Sequence, residues 1–288
     1  MPESGTRPGT SAPQGCVVIP AHDEAAVLPR LLDQLAEAAA DGSIEVVVVP
    51  NGCRDATADV ARRYPGVIVA EVPVGSKIAA LNRGDDVATA FPRAYLDADV
   101  EVTAAALRAV FRALDAPGGP LAARPRSRYE TTRATPAVRA YYRAKVVAVG
   151  ADPPHLWGAG CYVLSRAARE TFGRWPDVQG DDYWIDGQFE PAAKAIIEVP
   201  PVVVRPPRSL RDVVRTGARH YRGNAAVDQA APANPSSTAR TATRLARSVR
   251  GPRAAADAAV YAAATIAARL LARWPARAAT WERDATTR

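Results

Sequence analysis

The chain has 288 residues, of which 48% are hydrophobic, which is enough for one large domain with a C-terminal appendage and excludes global disorder. Its three cysteines (Cys16, Cys53 and Cys161) are too few and too scattered for a disulfide framework or a zinc site, so they predict a reducing, cytoplasmic environment. The net charge is +7, but residues 208–288 contain 15 arginines and 5 acidic residues, a local balance of +10. Such charge favours contact with phosphates, and a genome rich in Arg and Ala codons explains it equally well.

The first hundred residues alternate short apolar runs with helical patterns. The apolar runs, each predicted to be a strand, cover residues 16–19, 45–49, 67–71 and 94–96. Helices are expected between them, over residues 27–35, 57–64 and 77–90. This rhythm predicts an α/β fold with a doubly wound, mostly parallel sheet flanked by helices, whose ligand site lies at the carboxyl ends of the strands.

The remaining segments are less regular. Residues 1–14 are rich in Pro, Gly, Ser and Thr, and we interpret them as a disordered leader. Residues 116–150 lack clear periodicity before 138–149 and are expected to form a mobile cover or an acceptor surface. Strands are expected again at 161–164 and 196–204.

The C-terminal part is basic and rich in alanine. A basic helix is expected over 210–221, a low-complexity linker over 230–237 and an Ala-rich helix over 254–272. Because alanine contributes little hydropathy, this last helix is expected to pack on the domain or to lie in a membrane interface rather than to span a bilayer. We therefore predict one domain over 15–224, followed by a linker and an Arg/Ala-rich helical extension over 225–288.

Chemistry-bearing side chains follow each of the first three predicted strands. Glu24, after the first strand, can accept hydrogen bonds from ribose hydroxyls, or it can complement a helix dipole. Asn51, after the second, can accept from a nucleobase N–H, and an Asn-Gly turn is the competing interpretation. Lys77, after the third, can meet a phosphate or remain a solvated surface lysine.

The fourth strand ends at Asp97-Ala98-Asp99. Alternation along an extended strand places both carboxylates on one side, as a pair of hard oxygen ligands. Mg²⁺ or Mn²⁺ with a diphosphate suits such a pair, because the cation offsets the repulsion between carboxylates and phosphates. Taken alone, this tripeptide more often marks a solvated turn. The convergence of four strand ends favours the metal.

In this order, the motifs resemble those of family 2 glycosyltransferases. Residues 17–24 resemble the family's first strand and Pro-x-x-x-Glu turn, 46–57 its second strand and acidic loop, 75–84 its Gly-x-Lys helix, 95–100 its Asp-x-Asp strand, and 180–184 the acidic motif that supplies a catalytic base. The resemblance covers about residues 15–224. It implies a GT-A fold, a nucleoside-diphosphate sugar donor, and Mg²⁺ or Mn²⁺ as cofactor.

The resemblance also implies roles for individual residues. Asp97 would lie near the ribose and the metal, Asp99 would be the principal metal ligand, and Asp182 would deprotonate the acceptor hydroxyl in an inverting displacement. Asp181 would orient Asp182 or bind the acceptor. The expected donor-binding set comprises Pro20, Ala21, Glu24, Asn51, Lys77, Asp97, Arg219 and Arg222. An exposed basic helix face explains the two arginines of that set nearly as well as a diphosphate clamp does.

Two departures from the family pattern limit the prediction. Asn51 stands where the family usually has an acidic residue against the base, so a UDP-sugar is favoured without being fixed. The Gln-x-x-Arg-Trp signature of processive polymer synthases is absent, and residues 219–224 (RHYRGN) stand near its place. The acceptor is expected to be lipid-linked or a small molecule.

Two other functions compete with this one. A nucleotidyltransferase of sugar phosphates would share the general fold and the metal, but it would need a Gly-rich, Arg-containing loop after the first strand. A non-catalytic module could use the basic C-terminus to bind a membrane or a nucleic acid, which leaves the acidic pairs without a purpose. We expect no nucleic-acid partner. We expect a location in the cytoplasm, with peripheral contact at the inner face of the membrane.

Overall fold

A computed structural model describes residues 12–230 and 238–274. Its strands are β1 (Cys16–Ala21), β2 (Glu45–Pro50), β3 (Val67–Val69), β4 (Arg93–Leu96), β5 (Ala122–Tyr129), β6 (Cys161–Leu164) and β7 (Lys194–Val204). Its α-helices are α1 (Leu28–Ala40), α2 (Thr57–Arg62), α3 (Lys77–Val87), α4 (Ala104–Asp115), α5 (Pro136–Val149), α6 (Arg166–Arg169), α7 (Asp181–Gly187), α8 (Leu210–Ala230), α9 (Thr238–Ser248) and α10 (Pro252–Ala272). Most of the predicted leader and nearly all of the predicted linker lie outside the described residues.

The strands form one mixed sheet in the order β3-β2-β1-β4-β6-β5-β7. The first four pair in parallel, whereas β6 runs antiparallel to both β4 and β5, and β5 pairs in parallel with β7. The predicted α/β fold with a mostly parallel sheet is therefore confirmed. Because β1, β2 and β4 are parallel, the turns that follow them meet at one edge of the sheet.

Helices cover both faces of this sheet. On one face, Leu31 of α1 and Phe111 of α4 belong to an apolar layer that includes the β1 side chain of Ile19. On the other, Leu81 of α3 packs in a second layer with Tyr95 of β4. Each of these side chains is almost completely buried, and burying a side chain of this size contributes about 2 kcal/mol. The two layers fix the strands whose ends carry the site.

Some element boundaries differ from the predicted ones. β1 continues through Pro20, where only β2 still pairs with it, because the pairing with β4 ends at Val18. A proline is tolerated where a strand has a partner on one side only. Residues 116–150 were expected to form a cover, but they supply β5 and α5. The predicted domain boundary after Asn224 falls inside α8.

The C-terminal helices pack against α5 and against one another. Arg143 of α5 pairs with Asp257 of α10 at 2.6 Å, and the rings of Tyr141 and Tyr261 lie 5.2 Å apart. By length and composition α10 could cross a membrane, with a mean hydropathy of 1.4 over its most apolar window, of which 17% is buried. Its contacts with α5 show that α10 packs on the domain, which is the first of the two arrangements expected from the sequence.

Candidate active site

The ammonium group of Lys77 joins the two acidic motifs. Its Nζ lies 2.7 Å from Oδ1 of Asp97, which follows β4, and 2.8 Å from Oδ1 of Asp181, in the first turn of α7. Lys77 reaches both carboxylates because it opens α3, whose N-terminus is capped by the Ser76 hydroxyl. The two motifs therefore border one cleft, on either side of a shared cation.

Attraction outweighs burial for both partners of the Lys77–Asp97 pair. Burial opposes the charged form of Lys77, but Asp181 and Asp97 raise its pKa above the ordinary value. Burial also acts to raise the pKa of Asp97, but Lys77 and, at longer range, His220 lower it below the ordinary value. Asp97 keeps 40% of its side-chain surface exposed although protein surrounds it, as expected on the floor of an open cleft. Lys77 is therefore protonated and Asp97 ionised at neutral pH.

At the Asp182 carboxylate, unlike at Asp97, burial and repulsion outweigh the attraction of Lys77. Burial and the neighbouring Asp181 raise the pKa of Asp182 to about 6. Lys77 and a 2.8 Å hydrogen bond from the Gly158 amide to Oδ2 act in the opposite direction without reversing the shift. Asp181 is only 4% exposed and accepts a hydrogen bond from the Tyr162 hydroxyl at 2.8 Å. Of the two acids, Asp182 is therefore the one more open to a ligand.

A glycine loop over residues 157–160 connects the two acidic motifs on another side of the cleft. The amide of Asp97 donates to the Gly160 carbonyl at 2.9 Å, and the loop also supplies the Gly158 amide that binds Asp182. Gly160 has φ +62°, and a Cβ there would lie 3.0 Å from Oδ2 of Asp97 and 2.6 Å from Val100 Cγ1. Position 160 therefore requires a glycine, both for its backbone and for the space beside Asp97.

Asp97 and Asp99 fit a divalent cation. The strand ends at Leu96, as predicted, but residues 98 and 99 form a turn, so the alternation of an extended strand does not continue through the motif. Ala98 and Val100 are nevertheless buried, while Asp97 and Asp99 are half-exposed, so both carboxylates still leave the core. Carboxylate oxygens are the donors that Mg²⁺ and Mn²⁺ prefer, and the absence of a Cβ at residue 160 leaves room beside them.

A second group of potential ligands lies between the turns after β1 and β2. Asp23, Cys53 and Asp55 each place one ligand atom within 4.8 Å of the others. Oδ1 of Asp23 accepts from the amides of Arg54 and Asp55, and Oδ1 of Asp55 accepts from the Thr57 amide at 3.0 Å. These hydrogen bonds join the two turns to each other, and they account for the spacing of the three residues.

The expected donor-binding residues after β1 and β2 are mostly buried. Pro20 and Ala21 are the last two residues of β1 and are buried, and the Ala21 carbonyl accepts from both the backbone amide and the side chain of Asn51. Asn51 is 0% exposed and its side-chain NH2 also donates to the Val49 carbonyl, whereas its Oδ1 has no hydrogen-bond partner among the described residues. Its contact with a nucleobase remains a prediction. Glu24 is half-exposed, at the start of the turn that leads into α1.

Helix α8 brings the predicted arginines to the same cleft. Arg219 and His220 both influence Asp97, and burial followed by Arg219 lowers the pKa of His220 to about 4. His220 is therefore neutral at pH 7. The helix approaches the segment before α7 so closely that a Cβ at Gly223 would clash with the Gln179 carbonyl. Arg222 is half-buried on the same helix. Their contacts with a diphosphate, like that expected of Lys77, remain predictions.

A separate cavity of 410 Å³ contains none of these residues. It borders Asp85, a buried carboxylate that binds Arg93 at 2.5 Å and Arg169 at 2.7 Å. Asp85 also accepts hydrogen bonds from the Tyr95 hydroxyl and the Trp175 indole, both at 2.7 Å. These contacts stabilise the side of the sheet under β4, and we assign the cavity no catalytic role.

Sequence reasoning missed several residues of the cleft. The hydroxyl of Tyr162 and the backbone of Gly158 and Gly160 all contact the acidic motifs, although none was predicted to belong to the site. The signal that could have found the glycines is their spacing, one on each side of Ala159 just before β6. No comparable signal marks Tyr162, whose place in an apolar run is typical of any strand residue.

Solved structures show where this architecture occurs elsewhere. The mannosyltransferase PcManGT from Pyrobaculum calidifontis, in complex with GDP-Man and Mn²⁺, has a TM-score of 0.61 and 22% identity, covering 94% of this chain and 90% of its own. Glucosyl-3-phosphoglycerate synthase from Mycobacterium tuberculosis, in complex with Mn²⁺, UDP and phosphoglyceric acid, has a TM-score of 0.56 and 20% identity, covering 81% and 87%. The same synthase in complex with Mn²⁺, UDP-Glc and phosphoglyceric acid has a TM-score of 0.55 and 19% identity, covering 77% of this chain and 80% of its own.

These likenesses confirm the GT-A fold. No curated protein sequence matches the chain. The family model for glycosyl transferase family 2 matches residues 16–172, more than half of the 288. The chain therefore belongs to glycosyl transferase family 2 and is a glycosyltransferase.

Proposed function

We propose that this enzyme transfers a sugar from a nucleoside-diphosphate sugar to an acceptor hydroxyl by a metal-dependent, inverting displacement. The observation that carries the proposal is the position of Lys77 between Asp97 and Asp181, because it brings the predicted metal-binding and base motifs together in one cleft. In a single displacement the base and the departing diphosphate lie on opposite sides of the sugar, so both motifs must border the same space.

Asp99 and Asp97 would hold the cation, Mg²⁺ or Mn²⁺. Both similar mannosyl- and glucosyltransferase structures contain Mn²⁺, which supports this assignment. A bound divalent cation neutralises negative charge on a departing nucleoside diphosphate. Asp97 is ionised because Lys77 lowers its pKa, so it is ready to bind a cation at neutral pH.

The donor is proposed to be a UDP-sugar. Similar structures hold GDP-Man in one case and UDP-Glc in another, which supports a nucleoside-diphosphate sugar without selecting the base. Glu24 is proposed to accept from the nucleoside, and Arg219 and Arg222 to bind the diphosphate. Asn51 is proposed to accept from the base through its Oδ1, which is buried and has no hydrogen-bond partner among the described residues.

Asp182 is proposed to remove the proton of the acceptor hydroxyl. Its pKa of about 6 leaves it ionised at pH 7 and still basic enough to share a proton in the transition state. The Gly158 amide fixes Oδ2, and the amide of Tyr183 donates to Oδ1 at 2.8 Å, so the carboxylate is held in one orientation. Asp181 stays bound to Lys77 and Tyr162, and it positions the start of α7.

A donor assay tests this function. Nucleoside diphosphates and their sugars are screened by thermal shift with Mn²⁺, and release of UDP or GDP is then measured for the unsubstituted chain and for Asp99→Ala. We expect one nucleotide to raise the melting temperature and Asp99→Ala to abolish metal-dependent release. Stabilisation by no nucleotide would support the non-catalytic alternative, and release of pyrophosphate from a nucleoside triphosphate with a sugar phosphate would identify a nucleotidyltransferase.

We also propose that α10 lies on an anionic membrane surface. It packs on α5 and α8, whereas its side chains Ile266, Leu270 and Leu271, and Trp274 just beyond its C-terminal end, are 40–73% exposed. An exposed apolar helix face of this kind is expected to lie in a bilayer interface, with the tryptophan at the level of the headgroups.

The charge around α10 favours anionic lipids over another apolar partner. Residues 238–274 contain seven arginines and one acidic residue, Asp257, which is paired with Arg143. Four exposed arginines precede α10 or lie in its first turn: Arg240, Arg247, Arg250 and Arg253. Each basic residue near such a surface contributes about 1 kcal/mol to binding. A cytoplasmic location at the inner leaflet is proposed on the same ground, supported by three unpaired cysteines.

Vesicle binding tests the membrane contact. We expect the protein to sediment with vesicles containing phosphatidylglycerol and not with pure phosphatidylcholine, and Leu270→Glu to weaken binding at least tenfold (about 1.4 kcal/mol). Ile68→Glu, at an exposed apolar position of β3, is the matched control and should bind normally. A dimer in solution that Leu270→Glu dissociates, without vesicle binding, would show that a second copy covers this face.

A further inference from the structure

Lys145 differs from the other lysines in its electrostatic partners. The chain has three lysines, and Lys77 pairs with Asp97 and Asp181 while Lys194 pairs with Asp186 at 2.8 Å. Lys145 forms no ion pair with any acidic residue in the part of the chain that the structure describes. Its side chain is nonetheless half-buried on α5, where an uncompensated charge costs free energy.

Aromatic rings hold this cation in place. Its Nζ lies 4.9 Å from the ring centroid of Tyr129 and 5.3 Å from that of Tyr142, and it hydrogen-bonds to the Tyr129 side chain. Burial opposes the charge, but Tyr129, Tyr142 and Tyr141 outweigh it and raise the pKa of Lys145. Phenols are neutral at pH 7, so this tyrosine cage orients the ammonium without cancelling its charge.

The cage adjoins the base of the proposed reaction. The hydroxyl of Tyr129 donates to the Gly158 carbonyl at 3.2 Å, and the amide of the same glycine binds Asp182. The acceptor must approach from this side, because its hydroxyl has to reach the Asp182 carboxylate. A free positive charge here is therefore placed to attract an anionic group of the acceptor.

A second basic element faces the same space. Lys145 and Arg219 of α8 both contribute to lowering the pKa of His220, so both cations lie within electrostatic range of that side chain. The rings of Tyr141 of α5 and Tyr261 of α10 lie 5.2 Å apart at an angle of 33°. In the part of the chain that the structure describes, the contacts of the Lys145 ammonium are with aromatic rings and not with acidic side chains. Ammonium and guanidinium donors together match the several acceptor oxygens of a phosphate better than they match a neutral sugar.

We propose that Lys145 and the tyrosines around it bind a phosphate group of the acceptor, next to the hydroxyl that Asp182 deprotonates. This subsite rests on the proposed glycosyl transfer and narrows its acceptor to phosphorylated molecules. The phosphate could belong to a membrane lipid whose headgroup also carries a free hydroxyl, such as phosphatidylglycerol, or to a small soluble phosphate ester that carries one. The subsite would bind the same phosphate group in both cases.

Binding of inorganic phosphate tests the subsite directly. The full chain is saturated with UDP and Mn²⁺, so that the donor diphosphate position is filled, and phosphate is then titrated calorimetrically. We expect saturable binding that Lys145→Met weakens at least tenfold (about 1.4 kcal/mol), while UDP affinity stays within about twofold. Lys145→Arg should retain most of the affinity. Arg126→Met, which removes an exposed cation of β5, should change neither value.

The outcomes separate the subsite from the function on which it rests. Unchanged phosphate affinity in Lys145→Met, with normal UDP binding, would overturn the subsite alone. An equal loss of UDP affinity would overturn it too, because the lysine would then hold the donor. Failure of the unsubstituted chain to bind any nucleoside diphosphate would overturn both. Transfer to glycerol 3-phosphate, compared with a short-chain phosphatidylglycerol in detergent, then identifies the source, and Lys145→Met should lower transfer to whichever one is used.

Discussion

Lys77 and Asp181 form an ion pair of 2.8 Å that joins the first turn of α3 to the first turn of α7. The same ammonium binds Asp97 after β4, so one side chain holds three segments of the chain around the cleft. Without it, the carboxylates of Asp97, Asp181 and Asp182 would repel one another across a space from which bulk water is partly excluded. Lys77 is thus a structural cation of the site before any ligand binds.

Replacing Lys77 by Met should destabilise the fold in a pH-dependent way. We expect a loss of about 2 kcal/mol at pH 7, less than for a fully buried pair because Asp97 is 40% exposed. Asp97 has a lowered pKa in the folded protein, so its contribution is present above the unfolded pKa and is lost as the pH falls through the folded value. The difference should therefore shrink below about pH 4. Urea unfolding at pH 7 and at about pH 3 measures it.

The control for this change is the exposed pair of Arg126 with Glu198. Arg126→Met removes a cation of similar length from the surface and should alter stability by less than about 0.5 kcal/mol at either pH. A loss in Lys77→Met that is the same at both pH values would mean that packing, and not charge, explains it.

Asp182→Asn should abolish transfer while making the protein more stable. A positioned general base contributes about 10²–10⁴ to the rate, so kcat should fall by that factor with little change in donor affinity. The pKa of Asp182 is raised to about 6 in the folded protein, which means that its ionised form lowers the free energy of unfolding. Removing the charge should raise the free energy of unfolding at pH 7 by about 1–2 kcal/mol. Thermal unfolding and initial rates test both parts.

Asp177→Asn is the matched comparison, because that acid is exposed on the segment just before α7. It should leave both the rate and the stability close to those of the unsubstituted chain. Retention of full transfer activity by Asp182→Asn would require another base.

The rate of transfer should depend on the ionisation of Asp182. Its pKa is about 6, so kcat should rise from pH 5 to pH 7, reach half of its maximum near pH 6 and then level off. Stability should change in the opposite direction: a raised folded pKa means that the fold binds the proton more tightly, so this group lowers stability as the pH rises from about 4 to 6. Initial rates at saturating donor and metal test the first expectation. A flat profile across this range would contradict the assignment.

The sheet and the acidic motifs could be predicted from the sequence because their signals are local. Apolar runs mark β1, β2 and β4, and polar residues at their ends follow from the direction of parallel strands. The prediction for residues 116–150 failed for the same reason. β5 contains Arg124, Arg126 and Arg128, and its arginine-rich sequence resembles a loop; its place in the sheet depends on pairing with β7, which lies far along the chain.

The contacts of Asn51 and Lys77 could not be predicted without the three-dimensional structure. Asn-Gly at a strand end suggests an exposed turn, yet the Ala21 carbonyl of the adjacent strand binds the side chain inside the fold. A lysine at a helix start suggests an exposed cation, yet Asp181, far away in sequence, binds it. In both cases the partner comes from another element, and no periodicity or composition encodes that contact.

Gly160→Ala should disturb the metal-binding side of the cleft by a steric clash, in addition to the cost of backbone strain. The backbone at residue 160 has φ +62°, which costs a non-glycine residue about 1 kcal/mol. A Cβ would in addition lie 2.6 Å from Val100 Cγ1 and 3.0 Å from Oδ2 of Asp97, so the Asp97 carboxylate has to move. We expect Mn²⁺-dependent UDP binding to weaken at least tenfold (about 1.4 kcal/mol), measured by calorimetry.

Gly118→Ala separates the two effects. Gly118 has a similar backbone, with φ +73°, but a Cβ there would meet no atom within 4 Å. It should lose a comparable amount of stability to strain and bind UDP with Mn²⁺ normally. If Gly160→Ala behaved like Gly118→Ala in both measurements, Asp97 would tolerate the displacement and its proposed role at the metal would lose its structural basis. If only Gly160→Ala lost metal-dependent binding, the fixed position of Asp97 against the glycine loop would be a requirement of donor binding.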